Sequence, residues 1–302
     1  MFALLIYRIA LFFLLPIVLI LLLVRSKKSS AYRQRLLERL GFFPKQKLAR
    51  QTSVKSINKG GILVHAASVG EVIALKTFIE QLLSHYSTLP ITVTTFTPTG
   101  AEQVRKLFGD RVQHCYLPLD ITVCNRIFLQ RLQPSAMVFM ETELWPSLIA
   151  QAKQRQIKLL LINGRLSKKS MRHYQKLIWL IKPCLHAFDY ILSQSQDNHS
   201  NFLTLGAPAE KTTISGNLKF DIAINDNIEA KHQELASFLP KNSNVWLVAS
   251  THPGDEALIL SAFKYIKQNH PELLLILVPR HPERFNQVAN LCTEQGFSVI
   301  KR

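Results

Sequence analysis

The sequence predicts an α/β protein whose parallel sheets are doubly wound. Three observations carry that reading. From Gly60 onward, short apolar runs alternate with amphipathic segments; polar and charged clusters sit directly after the runs; and a second cycle of the same kind begins after Gly216. In such sheets ligands gather at the carboxyl ends of the strands, so chemistry is sought in the turns that follow them.

The elements follow in order. Residues 1–24 are almost wholly apolar, interrupted by Arg8 and Pro16, and Arg25, Lys27, Lys28, Arg33, Arg35 and Arg39 come next. The run is near the lower limit for crossing roughly 30 Å of hydrocarbon, and no small-residue cleavage site follows it. It is therefore expected to be a retained membrane anchor, with the basic cluster placing the rest of the chain on the cytoplasmic side; insertion into one leaflet is the other arrangement it allows. Residues 25–59 form a basic juxtamembrane segment and connector, with a short helix expected over 32–40 and ended by Gly41. Strands are expected at 62–66, 91–95, 113–117, 136–140, 158–162, 190–193 and 212–215. The clearest helix follows the first of them, with Val72, Leu75, Ile79 and Leu82 on one face at steps of three and four residues. These elements make a first domain over 60–216. A second, over 217–302, has expected helices at 229–238, 255–268 and 282–295 and strands at 245–250, 273–278 and 298–300. So few strands do not complete a doubly wound domain, so this one is expected to be truncated.

Composition narrows the function. Hydrophobic residues are 47% of the 302 and charged ones 19%, which marks folded material. The 37 basic against 20 acidic residues leave +17, an excess that calls for an anionic partner: a membrane surface, a phosphorylated ligand or nucleic acid. Nucleic acid is the least supported, for want of zinc-finger spacing or an aromatic RNA-binding signature, and is not expected. The four cysteines are scattered singly, which fits a reducing compartment and no disulfide framework. The ten histidines show no ligand spacing, so no metal is expected. Neither a P-loop nor a G-x-G-x-x-G fingerprint is present, which removes the usual support for ATP hydrolysis or nicotinamide chemistry.

The turns after the strands hold the candidate site. Ser68, Gly70 and Glu71 open a helix behind the first strand. Spacing leaves Glu71 either as the acidic first turn of a Ser-capped helix or as a general base at the rim of the sheet. At a helix N-terminus its carboxylate is expected to titrate low. After the fourth strand Glu141 and Glu143 stand at strand period, as paired carboxylates on one side of the chain or as the acidic start of the next helix. Arg165, Lys168, Lys169 and Arg172 follow the fifth strand, suiting a phosphate or simply a solvated helix. Lys219, between Asn217 and Asp221 where the two cycles join, is either surface decoration or a balance for charge developing on a substrate. In the second cycle Ser250, Thr251 and His252 open a helix, where backbone amides receive phosphate. Pro279, Arg280 and His281 occupy the same place after the next strand, with prolines fixing the turn around Arg280.

In order, His65-Ala-Ala-Ser-Val-Gly-Glu71, Glu141-Thr-Glu-Leu-Trp-Pro146, Asn163-Gly-Arg-Leu-Ser167, Gly216-Asn-Leu-Lys-Phe-Asp221, Ser250-Thr-His252 and Val278-Pro-Arg-His-Pro-Glu-Arg-Phe285 resemble the motifs of the 3-deoxy-D-manno-octulosonic acid (Kdo) transferases that glycosylate the lipid A precursor of Gram-negative bacteria. The resemblance covers nearly the whole chain. It implies a GT-B glycosyltransferase of two Rossmann-like domains, the first handling the acceptor and the second CMP-Kdo. It also implies inverting, metal-independent transfer with no cofactor, and a location at the bacterial inner membrane facing the cytoplasm. By motif, Glu71 corresponds to the proton acceptor, Glu141 and Lys219 to transition-state stabilisers, and Pro279 and Arg280 to CMP contacts. Ser250, Thr251, His252 and His281 are further donor-side candidates, and Ser68, Gly70, Arg165 and Lys169 acceptor-side ones. Ala249 stands where the motif has Gly, and Lys169 where it has Arg. The family's later donor motifs, Met-Gly-Glu-Leu and Gly-Gly-His-Asn, are expected beyond residue 302. A membrane-anchored sugar-nucleotide epimerase or other GT-B relative, and an acceptor-binding remnant, are the alternatives.

Overall fold

A computed structural model describes residues 2–28, 35–43, 57–221, 227–239 and 243–301. The chain divides into two compact units, Met1–Ala223 and Ile224–Arg302. The first opens with helix α1 (Phe2–Lys28) and a 3-10 turn at Leu36–Leu40. There follow β1 (Ile62–His65), α2 (Val69–Ala74), α3 (Lys76–His85), β2 (Ile91–Thr95), α4 (Pro98–Phe108), β3 (Gln113–Tyr116) and α5 (Thr122–Leu132). After these come β4 (Ala136–Met140), α6 (Pro146–Gln154), β5 (Lys158–Gly164), α7 (Lys168–Gln175), α8 (Ile178–Ala187), β6 (Tyr190–Ser193), α9 (Gln196–Thr204) and β7 (Thr212–Ile214). The second unit holds α10 (Asn227–Phe238), β8 (Val245–Thr251), α11 (Asp255–Lys267), β9 (Leu274–Pro279) and α12 (Phe285–Glu294).

The seven strands of the first unit form one sheet in the order β3-β2-β1-β4-β5-β6-β7, and every pairing is parallel. Helices cover both faces, so central strands bury both sides of the chain; all five residues of β2 are buried. On one face Leu63, Phe139 and Leu161 meet Phe128, Leu148, Ile149 and Leu185. On the other, Val64, Val138 and Ile162 meet Val72, Leu75, Ile79 and Val104. The helical spacing of Val72, Leu75 and Ile79 thus does what it predicts, although a break at Leu75 divides the expected single helix into α2 and α3. Ser68, Thr97, Ser167 and Ser195 cap α2, α4, α7 and α9 by accepting a backbone N–H with their hydroxyls.

The basic connector has a structural task. Of the helix expected over 32–40, only residues from 35 on are described, and they form the 3-10 turn closed by Gly41 at φ +85. A Cβ there would meet the Cys124 carbonyl at 2.4 Å, so the position requires glycine. The turn lies along edge strand β3. The Glu38 carboxylate accepts the Tyr116 N–H at 3.1 Å, and Arg35 donates to the His114 carbonyl at 2.8 Å while holding Glu38 through two hydrogen bonds. Backbone groups that an edge strand would leave open are thereby closed. Burial and the neighbouring Arg35 charge lower the His114 pKa to about 3, so its ring stays neutral beside the guanidinium. Most of the expected 48–59 connector lies outside the described residues.

Two expectations change. The apolar N-terminus is one helix, but among the described residues no helix is long and apolar enough to cross a membrane, so the expected anchor is not found there. In its first turns Tyr7 donates to Asp120 Oδ2 at 2.9 Å and Arg8 to Ser147 Oγ at 3.2 Å, so that this stretch lies against the protein. In the second unit 298–300 is not a strand. After α12 the chain turns at Gly296 with φ +87, Phe297 bonds back to the Cys292 carbonyl, and among the described residues no neighbouring strand takes up the segment. The segment 217–221 closes onto the first unit: the Leu218 side chain packs on its core, and the Asp221 carbonyl accepts the Thr77 hydroxyl at 2.8 Å.

Asp120 ties these parts together. It is buried, and its carboxylate accepts from Tyr7, from Asn125 Nδ2 at 2.7 Å, and from the Ser147 and Leu148 amides at 2.9 and 2.7 Å, capping α6. Asp120→Ala should lower the unfolding free energy by at least about 2 kcal/mol, because each buried donor left unpaired costs about 1–3 kcal/mol. It should also expose residues 2–28 to protease. Urea unfolding and limited proteolysis measure both, and an unchanged midpoint would show that these donors find other partners.

Candidate active site

The strand order reverses between β1 and β4, and the turns leaving these two strands bring the first candidate residues together. Behind β1, Ser68 and Glu71 form a reciprocal cap. Ser68 Oγ accepts the Glu71 N–H at 3.4 Å and donates to Glu71 Oε1 at 2.8 Å, while Oε2 accepts the Ala67 N–H at 2.9 Å. Glu71 is thus a capping residue and also a carboxylate held at the rim of the sheet; the two readings of its spacing are compatible. Its pKa, however, runs against expectation. Burial raises it, the hydrogen bonds from Ser68 and Ala67 lower it, and the charges of Glu141 and Glu143 raise it again, for a net rise. Desolvation beside two like charges outweighs the helix N-terminus.

Behind β4 the chain does not keep the strand period that the spacing of Glu141 and Glu143 assumes. Glu141 adopts a left-handed conformation, φ +59, with its N–H bonded to the Ile162 carbonyl of β5 at 3.0 Å. The two carboxylates therefore diverge. Glu141 lies 3.8 Å from Lys219 Nζ. Glu143 accepts the Trp145 indole N–H at 3.0 Å and lies 3.7 Å from Nε2 of His65, a buried histidine whose Nδ1 lies 3.0 Å from the Thr94 hydroxyl. Trp145 stacks on Phe96 with ring centroids 4.9 Å apart, walling this side of the cluster.

At the end of β5, Asn163 is left-handed at φ +53, and Gly164 lets the Phe202 ring approach to where a Cβ would stand 2.9 Å from it. Arg165, Lys168 and Lys169 are exposed, with Ser167 capping α7. Ser68 and Gly70 are exposed too, and a Cβ added at Gly70 would meet nothing within 4 Å. The structure thus brings Glu71, Glu141 and Lys219 to one edge of the sheet with Ser68, and sets Arg165 and Lys169 on its outer surface. Among the described residues no group of three or more His, Cys, Asp or Glu is placed to hold a metal ion.

The second unit is described by itself. Its strands β8 and β9 run parallel, and their carboxyl ends hold the other candidates. A bulge leaves Ser250 left-handed at φ +64, and the Arg280 N–H donates to the Thr251 carbonyl at 3.1 Å, joining the two turns. The His252 and His281 rings lie 6.2 Å apart, edge to face. Pro279 is buried and Arg280 exposed, so the guanidinium held rigidly at this corner is that of Arg284 instead. Arg284 donates to Glu256 at 2.9 Å and to the Thr251 carbonyl at 3.1 Å, and the Thr251 hydroxyl completes the pairing to Glu256 at 2.6 Å. Burial would raise the Glu256 pKa, but the bonds from Arg284 and Thr251 overcome it and hold the carboxylate below its ordinary range.

A family model described as 3-deoxy-D-manno-octulosonic-acid transferase (kdotransferase) matches residues 34–222. The chain belongs to this family. It is 41% identical over 95% of its length to a 3-deoxy-D-manno-octulosonic acid transferase of Haemophilus influenzae, covering 65% of that protein. It is 33% identical over 81% of its length to the enzyme of the same name from Rickettsia bellii, covering 58% of it. To a bifunctional glycosyltransferase/methyltransferase of Fusobacterium nucleatum it is 30% identical over 92%, covering 43%. The chain thus spans between 43% and 65% of the length of these relatives. Among solved structures, a UDP-GlcNAc 2-epimerase of Neisseria meningitidis superposes with a TM-score of 0.52 at 16% identity, covering 78% of this chain and 69% of the epimerase, a likeness of fold alone.

The first four family motifs fall at strand ends of the first unit's sheet and the last two at those of β8 and β9. The motifs do not show the distant partners of three of their residues, Leu218 for Asn163, Thr94 and Glu143 for His65, and Glu256 and Thr251 for Arg284; a His inside an apolar strand is the local hint. The raised Glu71 pKa makes a signed prediction for a reaction that needs Glu71 ionised. The acid limb of its pH profile should lie above the ordinary glutamate range, and Glu143→Gln should move it downward, because removing a like charge favours the ionised form. A profile of rate against pH in both proteins tests this; an upward or absent shift would remove Glu143 from the electrostatics of Glu71.

Proposed function

We propose that this protein acts as a GT-B glycosyltransferase that moves Kdo from CMP-Kdo to a lipid A precursor, with inversion and without a metal. The observation that carries the proposal is the meeting of Glu71, Glu141 and Lys219 at the β1/β4 edge in a chain of the Kdo transferase family. An inverting transfer needs one base on the acceptor side, and at this edge Glu71 is a carboxylate with a fixed position and a raised pKa. It takes the proton of the acceptor hydroxyl as that oxygen bonds to the anomeric carbon of Kdo. The bond from that carbon to the CMP phosphate breaks with its electron pair, and CMP departs. Lys219 and Glu141 stabilise the charge that develops. Pro279 and Arg280 meet CMP on the donor side with Ser250, Thr251, His252 and His281 around them; Ser68, Gly70, Arg165 and Lys169 face the acceptor.

The acceptor is a lipid, and two features support a membrane surface as the place where it is met. One is the +17 charge. The other is α1, whose Phe2, Leu5, Ile6, Ile9, Phe12 and Phe13 remain exposed while Tyr7 and Arg8 hold the helix to the protein. An apolar helix lying against its own domain suits insertion into one leaflet, here of the bacterial inner membrane from the cytoplasmic side.

Incubating membranes that contain the protein with labelled CMP-Kdo and lipid A precursor tests the function. Transfer should be observed, and Glu71→Gln should reduce it about 10²–10⁴-fold, the usual contribution of a general base. Near-normal transfer by that variant would mean that another group takes the proton.

A further inference from the structure

We propose that Asn163 is a positioning residue that clamps the 217–221 turn so that Lys219 is presented to Glu141. The inference rests on the role given above to Lys219, and it assigns the residue that holds it.

Asn163 is the last residue but one of β5 and sits inside the register shift between Leu161 and Gly164 against β6, in a left-handed conformation at φ +53. Asparagine accepts that conformation more readily than other residues bearing a side chain, apart from aspartate. The residue is 1% exposed, so its amide cannot turn to water for partners. Its Oδ1 accepts the Leu218 N–H at 3.0 Å across 55 residues of sequence. Its own carbonyl accepts Gln194 Nε2 at 3.1 Å, which fixes the backbone from the β6 side.

The next residue after Leu218 is Lys219, whose Nζ stands 3.8 Å from Glu141 Oε1. Glu141 in turn is fixed by its N–H bond to the Ile162 carbonyl, the residue before Asn163. The contacts therefore close a ring: Glu141 to β5 through Ile162, Asn163 to Leu218, and Lys219 back to Glu141. Both charged side chains hang from the same two residues of β5. Lys219 is half exposed, and an ion pair between exposed side chains on independent loops holds its geometry weakly. A buried hydrogen bond one residue away supplies the constraint that the pair cannot supply for itself.

Two substitutions separate the clamp from the backbone. Asn163→Gly adopts positive φ freely but removes Oδ1, and Asn163→Asp keeps an acceptor oxygen and tolerates the same conformation. The full chain is reductively methylated with ¹³C-formaldehyde, and the Lys219 dimethylamine resonance is assigned from its loss in Lys219→Arg. In the unsubstituted protein Glu141→Gln should move this resonance. In Asn163→Gly the same change should leave it in place, and in Asn163→Asp the response should return. A response that persists in Asn163→Gly in a folded protein, or that fails to return in Asn163→Asp, overturns the clamp. Where transfer is measured, Asn163→Gly should lower kcat about 10²-fold, the scale of a misplaced group, with little change in KM. It should add nothing in a Lys219→Met background. Undiminished transfer in Lys219→Met alone would remove the functional reading of Lys219 while leaving the resonance test of the clamp intact.

Discussion

The first unit depends on the reversal of strand order between β1 and β4. Because β2 and β3 extend the sheet to one side of β1 and β4 to β7 to the other, the connections leaving β1 and β4 pass to opposite faces. The carboxyl ends of those two strands are therefore left without a helix crossing directly above them. Into that opening come the Glu71 cap from one side and the Glu141 turn from the other. Burial at that edge, with a smaller contribution from the charges of Glu141 and Glu143, raises the pKa of Glu71, so the topology that creates the site also sets its electrostatics.

A second regularity is backbone strain at the strand ends. Glu141, Asn163 and Ser250 are left-handed, and each lies within one residue of the carboxyl end of a strand that leads into a family motif. A non-glycine residue in this region is held there by its surroundings, and such residues collect at functional sites. Here the surroundings are identifiable: the Ile162 carbonyl for Glu141, the Leu218 amide for Asn163, and the bulge against β9 for Ser250.

The sheet was legible in the sequence because buried parallel strands read as short runs rich in apolar and β-branched residues; 91–95, 136–140 and 190–193 match the strands residue for residue. The motif residues were legible as positions after strands. What could not be read was anything set by burial or by distant partners. Glu71 looked like a carboxylate favoured by a helix end, and only tertiary packing shows that desolvation prevails. Glu141 and Glu143 looked paired, because a left-handed turn leaves no local signature in a glutamate. Residues 298–300 had the composition of a strand, but a strand also needs a neighbour. Nor does the spacing of the basic connector show that Arg35 and Glu38 brace the edge of β3.

The central claim is that chemistry takes place at the β1/β4 edge with Glu71 as the base. The most direct measurement is a structure of the protein with a lipid A precursor bound. The account predicts the reacting hydroxyl of the acceptor within about 2.6–3.2 Å of the Glu71 carboxylate, the reach of a proton transfer. An acceptor bound with that hydroxyl away from Glu71, and with no single water bridging the two, would contradict it.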